Sequence, residues 1–249
     1  MRGRRKVARG LFGAGIILAG LIGAACTTVT DSGTTVTGSG TTVTREVDVP
    51  AFSRLEVSHA FVVTVSRGPV GPVTVRIDDN LLDVLDVSVS GGTLRIGLAP
   101  GTSASNATLE ADVTAPSLEG IEGSGAAAIT LVDRVEVGAL SVSLSGASRL
   151  EGATAIDSGH FEVSGASIVE LSGSSTLLEV TASRASTLHL ARLTLEDLTI
   201  DLSGASQAEV TVTGSLSAGA SGASLLRYGG SPAVTRSESS GASTIEPTG

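Results

Sequence analysis

A four-residue motif, Ser-Gly-Ala-Ser, returns through the second half of the chain and constrains the fold more than any other feature. Complete copies begin at Ser145, Ser164, Ser203, Ser221 and Ser240, and degenerate copies begin at Ser124 and Ser183. The successive first serines lie 21, 19, 19, 20, 18 and 19 residues apart. A fixed period near twenty residues is typical of a solenoid, in which each repeat is one turn that buries its apolar face against its neighbours.

Aligning the copies on the first serine produces columns of apolar residues. Three places before the serine stand Ile121, Val142, Phe161, Val180, Ile200 and Ala218, and five places after it stand Ile129, Leu150, Val169, Leu188, Ala208, Leu226 and Ile245. Apolar side chains at every second residue indicate strands rather than helices. The sequence therefore predicts an all-β fold, a parallel β-helix or solenoid of about 19–20 residues per coil over residues 121–246. Because crossovers between parallel strands are nearly always right-handed, we expect a right-handed coil.

A third column consists of the alanines of the motif, namely Ala126, Ala147, Ala166, Ala185, Ala205, Ala223 and Ala242. We expect them to point inward where the coil turns, because only a methyl group fits a narrow corner. A leucine there would then overpack the corner at a cost of about 1–3 kcal/mol. The serine hydroxyls beside them are expected to satisfy turn amides or to form ladders between coils.

Residues 1–25 have the pattern of an export signal, with five basic residues followed by an uncharged apolar run from Leu11 to Ala25. Cys26, the only cysteine, comes next. This order resembles a bacterial lipoprotein signal, which implies that Cys26 is diacylated and anchors the chain outside the cytoplasmic membrane or on the cell surface. Gly23 stands where such signals usually have Leu, so ordinary cleavage nearby, leaving a free thiol, is the alternative.

Residues 26–44 repeat a Thr-Thr-Val-Thr motif every seven residues, separated by Asp, Ser and Gly. Three valines supply no apolar core, so this segment is predicted to be an exposed spacer. The folded domain is expected to span residues 45–249. Its N-terminal third is irregular, with strand-like alternation before the first complete repeat.

Four segments resemble one bacterial family. They are Phe52-Ser-Arg-Leu-Glu-Val57, the strand-like run from Val73 to Leu82, Gly92-Thr-Leu-Arg-Ile96, and the run from Ala115 to Ala126. Together with the repeats they are similar to the auto-transporter adhesin head domain (GIN domain) over residues 45–246. The resemblance implies a β-solenoid, often lipid-anchored, in the bacterial envelope. The family name implies adhesion, but the resemblance assigns no functional residues.

The charge balance argues against nucleic acid as a partner. The full chain carries a net charge of −9, and removal of the export signal with its five basic residues would leave −14. Such an acidic surface repels polyanions. An unidentified protein or glycan is the partner that we expect, besides the membrane reached through the lipid anchor.

Candidate chemistry is sparse. His59, His160 and His189 show no metal-ligand spacing and are expected at the surface or rim. Asp78, Asp79, Asp83 and Asp86 are a candidate Ca²⁺ site, although a solvated turn explains them as well and no cofactor is expected. The mature part holds no Trp, one Tyr and three Phe, so sugar stacking is poorly provided for.

The sequence thus favours a non-catalytic binding, adhesion or scaffold module. A polysaccharide-active β-helix enzyme is the alternative from another class, and an envelope sensor is a third. The last coil ends near Ile245 with no segment long enough to cover it. We expect its exposed edge to be protected by end-to-end self-association or by residues 232–239 folding across it.

Overall fold

The computed structural model describes residues 33–248. Its N-terminal part contains strands β1 (Thr34–Thr37), β2 (Thr42–Val47), β3 (Arg54–Val57), β4 (Val62–Arg67), β5 (Val73–Asp78), β6 (Leu85–Ser90), β7 (Thr93–Leu98), β8 (Thr102–Ser105) and β9 (Leu109–Ala115), with a 3-10 helix at Asp79–Val84. The repeats contain β10 (Gly120–Gly123), β11 (Ala128–Leu131), β12 (Val135–Leu144), β13 (Arg149–Val163), β14 (Ile168–Ala182), β15 (Thr187–Leu202), β16 (Gln207–Ala220), β17 (Leu225–Gly230), β18 (Ala233–Ser239) and β19 (Thr244–Pro247).

The repeats form the predicted β-solenoid of about seven turns. Face A consists of the strand segments before each corner, namely 54–57, 120–123, 141–144, 160–163, 179–182, 199–202, 217–220 and 236–239. Face B consists of the segments after each corner, namely 62–65, 128–131, 149–151, 168–170, 187–190, 207–210, 225–228 and 244–247. Face C, the third side, consists of 135–137, 154–156, 173–175, 193–195 and 211–212. All three ladders are parallel along the repeats.

The core consists of the aliphatic columns that the sequence predicts. In face A, Leu55, Ile121 and Val142 occupy equivalent positions in successive coils, and each is at most 1 % exposed. The column of face B that contains Ile129 and Leu150 is buried in the same way. Each coil therefore depends on its neighbours for the cover of its apolar side chains. The right-handed sense of winding stays a prediction.

The corner differs from the prediction, because its alanines are exposed. Ala147, Ala166 and the other five motif alanines point to solvent, whereas the fourth residue of the motif points inward. The buried side chains at this position include Ser148, Ser167, Ser186, Ser206 and Ser224, each at most 1 % exposed. The expectation that leucine at an alanine position would overpack the corner is therefore wrong.

The buried serine closes its own corner. Its hydroxyl donates to the carbonyl oxygen of the first serine, three residues earlier, over 2.6 to 2.9 Å in six successive corners. Each motif alanine contributes its backbone instead. Its N–H donates to the backbone carbonyl oxygen of the second motif residue, usually glycine, in the preceding coil over 2.5 to 2.8 Å. The parallel hydrogen-bond ladder thus continues through the corner, and the alanines stack above one another in register.

The second residue of each corner, the one that follows the first serine of the motif, adopts a left-handed backbone conformation. Its φ lies between +63° and +81° in eight successive corners, and six of these eight residues are glycine. Glycine adopts this conformation without steric cost. The two exceptions are Arg184 and His59. His59 belongs to Ser58-His59-Ala60-Phe61, a corner that lies one coil before the Ser124 corner and that the motif alignment does not detect.

The predicted spacer over residues 26–44 is wrong for its second half. β1 pairs in parallel with β8, and β2 pairs antiparallel with β5. The hydroxyls of Thr35 and Ser103 lie 2.9 Å apart, and Val36 and Val43 pack against the core. The folded part therefore begins before residue 45, because backbone pairing and hydroxyl contacts hold a segment that is too polar to build a core itself.

The two ends of the solenoid differ. At the N-terminal end β2 and β6 pair antiparallel with β5 and β7, and Leu81 of the 3-10 helix is fully buried in the core. At the C-terminal end residues 233–239 form β18 in parallel with β16, so they do not fold across the end as one expectation had it. In this last coil Ser237 and Ser239 lie opposite Ala218 and Ala220. Self-association through this end stays a prediction.

The predicted export signal (1–25) and the lipidation site Cys26 lie outside the described residues. Among residues 33–248, no helix has the length and apolar character needed to cross a membrane.

Candidate functional site: an acidic groove along one edge of the solenoid

The outward positions of face A carry a column of acids along the solenoid. Following the register, Glu56, Glu122, Ser143, Glu162, Thr181, Asp201, Gly219 and Glu238 succeed one another. Arginines neutralise only its ends: Arg95 binds Glu56 at 2.7 Å, and Arg236 reaches across Gly219 to Asp201 at 3.0 Å. The hydrogen bond to Glu238, followed by that to Asp201, raises the pKa of Arg236 above its ordinary value. The middle of the column remains acidic.

A groove of about 750 Å³ runs along the edge between face C and face A. Its floor is lined by small residues where successive coils turn, including Gly138, Ala139, Ser158 and Gly159. These residues leave space because three have no side chain beyond a methyl group. The groove begins at the first strand of face C and extends over the coils that follow.

Carboxylates dominate the charged lining of the groove. Glu119, Glu136 and Glu179 face a single guanidinium, that of Arg54. Glu136 also binds Arg67 at 2.8 Å, but both of these side chains are about half exposed, so the ion pair is screened by water. A concave acidic surface concentrates cations and basic side chains from solution.

His160 lies in this groove between two carboxylates. Its Nδ1 is 3.3 Å from Glu179, and its Nε2 is 3.4 Å from Glu162. The side chain is 47 % exposed, which agrees with the predicted surface position. Each ring nitrogen faces a different carboxylate, so the three groups do not converge on one metal position.

The other two histidines are separate from the groove. His189 is exposed on face B, in the same register as Glu170 and Glu209. It therefore does not stack on His160. His59 is a structural residue: its Nε2 lies 2.9 Å from the carbonyl oxygen of Thr102, which only accepts, so Nε2 carries the proton. Its Nδ1 then accepts from the hydroxyl of Ser58 at 2.8 Å.

The candidate Ca²⁺ residues hold the N-terminal segment instead. Asp78 is buried, and its carboxylate accepts the N–H groups of Gly40 at 3.1 Å and Thr108 at 3.4 Å. Asp79 accepts the hydroxyl of Ser39 at 2.5 Å. Asp83 and Asp86 do not join them, and in the part of the chain that the structure describes no three His, Cys, Asp or Glu side chains form a metal-binding group.

Face B carries more balanced charges than the groove. Glu170 binds both Arg149, at 3.2 Å, and Arg192, at 2.6 Å. One outward column of face B contains Val62, Ala128, Arg149, Ile168, Thr187, Gln207, Leu225 and Thr244. Its large apolar residues, Val62, Ile168 and Leu225, are separated from one another by other residues of the column.

The fold and its surface define the class of protein: a parallel β-solenoid with flat polar faces and an open acidic groove. Residues 51–232 match the sequence profile of the family described as "Putative auto-transporter adhesin, head GIN domain". The chain belongs to this family, as its sequence predicts, although the matched range is shorter than the predicted 45–246. No curated protein matches the chain.

Solved structures share the fold. A "putative adhesin" from Bacteroides fragilis is 18 % identical, with a TM-score of 0.77 over 86 % of this chain and 100 % of that chain. A second adhesin of this description, from Parabacteroides merdae, is 15 % identical, with a TM-score of 0.68 over 87 % and 100 %. A "putative lipid binding protein" from Parabacteroides distasonis is 17 % identical, with a TM-score of 0.69 over 86 % and 100 %. These relatives are named for binding and adhesion rather than for catalysis.

Proposed function

We propose that this protein is a non-catalytic binding module that is exported, anchored by a lipid on Cys26, and displayed at the bacterial cell envelope. The observation that carries the proposal is the open acidic groove on a rigid ladder of coils. The backbone that carries these side chains is already ordered in the parallel ladders, so binding requires no ordering of the main chain of this protein.

Family membership supports a binding role. The family is named for adhesion, and similar solved structures are named adhesins or a lipid-binding protein. The groove is wide and open, and its polar groups are carboxylates distributed over several coils. Such a surface suits contact with a cationic or extended partner better than the enclosure of a small substrate.

The anchor explains how the module would reach its partner. Cys26 follows a basic and apolar leader, and the first described strand begins only eight residues later, at Thr34. The folded part would therefore lie close to the membrane rather than at the end of a long spacer. The anchor is tested by radiolabelled palmitate incorporation, which we expect in the wild-type protein and not in Cys26→Ala. Equal labelling of both would contradict lipidation at this residue.

The binding role is tested with isolated cell envelopes. Purified full-length protein is incubated with envelope fragments and sedimented, alongside an array of envelope glycans. We expect saturable binding that is lost after thermal unfolding. Absence of saturable binding to envelopes and glycans would contradict the proposal. Release of product from any arrayed polysaccharide, lost on substitution of a single groove carboxylate, would favour the enzyme class instead.

A further inference from the structure

One strand edge inside the solenoid has no partner. Residues 135–137 of β12 pair with the next coil, but no strand within residues 33–248 pairs with them on their other side. The cause is topological. After β4 the chain leaves the path of the coil and enters antiparallel β5. Residues 116–118 return along the third side and line a small cavity with Val135 and Glu136, but they form no strand there. Face C therefore begins with an open edge in the middle of the molecule.

The core beside this edge is only partly covered. Val135 and Val137 lie opposite Thr154 and Ile156 of the next coil. Thr154 and Ile156 are 0 % and 5 % exposed, whereas Val135 and Val137 are only partly buried. The same two positions are therefore buried one coil later, because strands pair with Thr154 and Ile156 on both sides. An additional strand at the edge would complete the burial of both valines.

The edge also offers backbone hydrogen bonds and charge. In a parallel ladder alternate residues direct their N–H and C=O groups to opposite neighbours, so part of the backbone of residues 135–139 has no strand to bind. Such an edge is a template for an added strand. The acidic groove lies against it, with Glu119 and Glu136 beside the position that the new strand would occupy. Arg67, Asp133 and Arg134 line the end of the edge near residue 135.

We propose that an extended segment of a partner protein, with apolar and basic residues in alternation, adds to the edge of β12 at residues 135–139. Its apolar side chains cover Val135 and Val137, and its basic side chains contact Glu119 and Glu136. Main-chain hydrogen bonds then supply affinity, and the alternate side chains supply specificity. This inference rests on the binding role proposed above and gives that role the chemistry of its partner.

A synthetic peptide tests the backbone pairing. The probe is an end-blocked heptapeptide of alternating lysine and valine, titrated into full-length protein and followed by fluorescence anisotropy. Two further peptides carry N-methyl groups on the valines only or on the lysines only, and each modification blocks one edge of the strand. We expect the two to differ in affinity by about tenfold or more. Equal affinities, or no binding of the unmodified peptide, would overturn the proposal.

Substitutions and amide hydrogen exchange determine where the peptide binds on the protein. Glu136→Lys should weaken peptide binding by about tenfold, while Glu209→Lys, the same change at an exposed acid on face B, should leave it within about twofold. Bound peptide should slow amide exchange in residues 135–139. Slowed exchange in β18 or β19 instead, or protection of residues 135–139 that rises with protein concentration without peptide, would assign the edge to another occupant and refute the proposal.

Envelope binding separates this inference from the broader role. If envelopes capture wild-type protein and Glu136→Lys equally, the edge is not the binding surface, although the binding role stands. If envelopes capture neither, the binding role fails whatever the peptide does. Capture of wild-type protein alone, together with the peptide results above, supports both.

Discussion

The buried serine of the corner gives the sharpest test of how the coils are held. Ser186 is fully buried, and its hydroxyl proton is directed at the carbonyl oxygen of Ser183 at 2.7 Å, with the carbonyl oxygen of Val163 at 3.1 Å as a second acceptor. Ser186→Ala removes this donor from the carbonyl oxygen of Ser183, whereas that of Val163 still accepts the N–H of Ser183 at 2.9 Å. The loss of a hydrogen bond of this kind costs about 1–3 kcal/mol, so we expect the free energy of unfolding to fall by about 2 kcal/mol.

The chain provides matched controls within the same corner. Ser183→Ala makes the same chemical change at a partly exposed hydroxyl for which no hydrogen-bond partner is found in residues 33–248, so it should change the free energy of unfolding by less than about 0.5 kcal/mol. Ala185→Leu adds a side chain at an exposed position and should be similarly mild.

The assay is urea unfolding of the full-length protein, followed by circular dichroism. With a denaturant dependence of about 2 kcal/mol per molar urea, Ser186→Ala should lower the unfolding midpoint by about 1 M. In the Ser124 corner, where Ala127 replaces the serine, the N–H of Ala127 approaches the carbonyl oxygen of Ser124 at 3.3 Å. If the N–H of residue 186 approached the carbonyl oxygen of Ser183 in the same way in the variant, the loss of unfolding free energy would fall toward about 1 kcal/mol. Equal midpoints for Ser183→Ala and Ser186→Ala would refute the reasoning, as would a larger loss for Ala185→Leu.

Three further predictions follow from single residues. Thr154→Val should raise the free energy of unfolding by about 1 kcal/mol in the same assay, because the buried hydroxyl of Thr154 has no hydrogen-bond partner among residues 33–248; an unchanged or lower value would contradict this. Arg184→Gly should stabilise by about 0.5–1 kcal/mol, because φ is +68° at a position that glycine occupies in neighbouring corners; a loss of stability would contradict the strain. Asp78→Ala should accelerate amide exchange in residues 38–41, because the carboxylate of Asp78 accepts the N–H of Gly40. The exchange of β13 and β14 should stay unchanged. Unchanged exchange in residues 38–41 would contradict this prediction and show that strand pairing alone holds the segment in place.

The coils could be predicted because their period and their columns are local properties of the sequence. Phe161 and Val180 recur at the same offset from the motif, and they are buried as expected. The interior of the corner could not be predicted by hydropathy. Ala147 is apolar and exposed, while Ser148 is polar and buried, because the hydroxyl of Ser148 donates to the carbonyl oxygen of Ser145 inside the corner.

In the N-terminal part, too, the sequence alone does not predict the structure. The strand that begins at Thr34 is too polar to be recognised as part of a core, and its partner begins at Thr102, far along the chain. The first corner is not detected by the motif for a different reason, since His59 occupies the place that glycine has in six of the seven other corners.

The groove depends on long-range topology. Its charged residues come from separate coils, from Arg54 to Glu179. Its open edge exists because the first coil has no strand on its third side, which the alternation of strands does not reveal. The acids could be counted from the sequence, but their assembly required the register between coils.

Disulfide formation between introduced cysteines tests the winding of the chain most directly. In a Cys26→Ser background, cysteine pairs replace exposed motif alanines, which lie in register on successive coils. Ala147 and Ala166 are one coil apart, about 4.8 Å, within reach of a disulfide, whereas Ala147 and Ala185 are two coils apart, about 10 Å, beyond it. Under mild oxidation we expect rapid intramolecular cross-linking of the 147/166 and 166/185 pairs and little of the 147/185 pair. Equal cross-linking of all three pairs, or none at 147/166, would contradict the stacked coils.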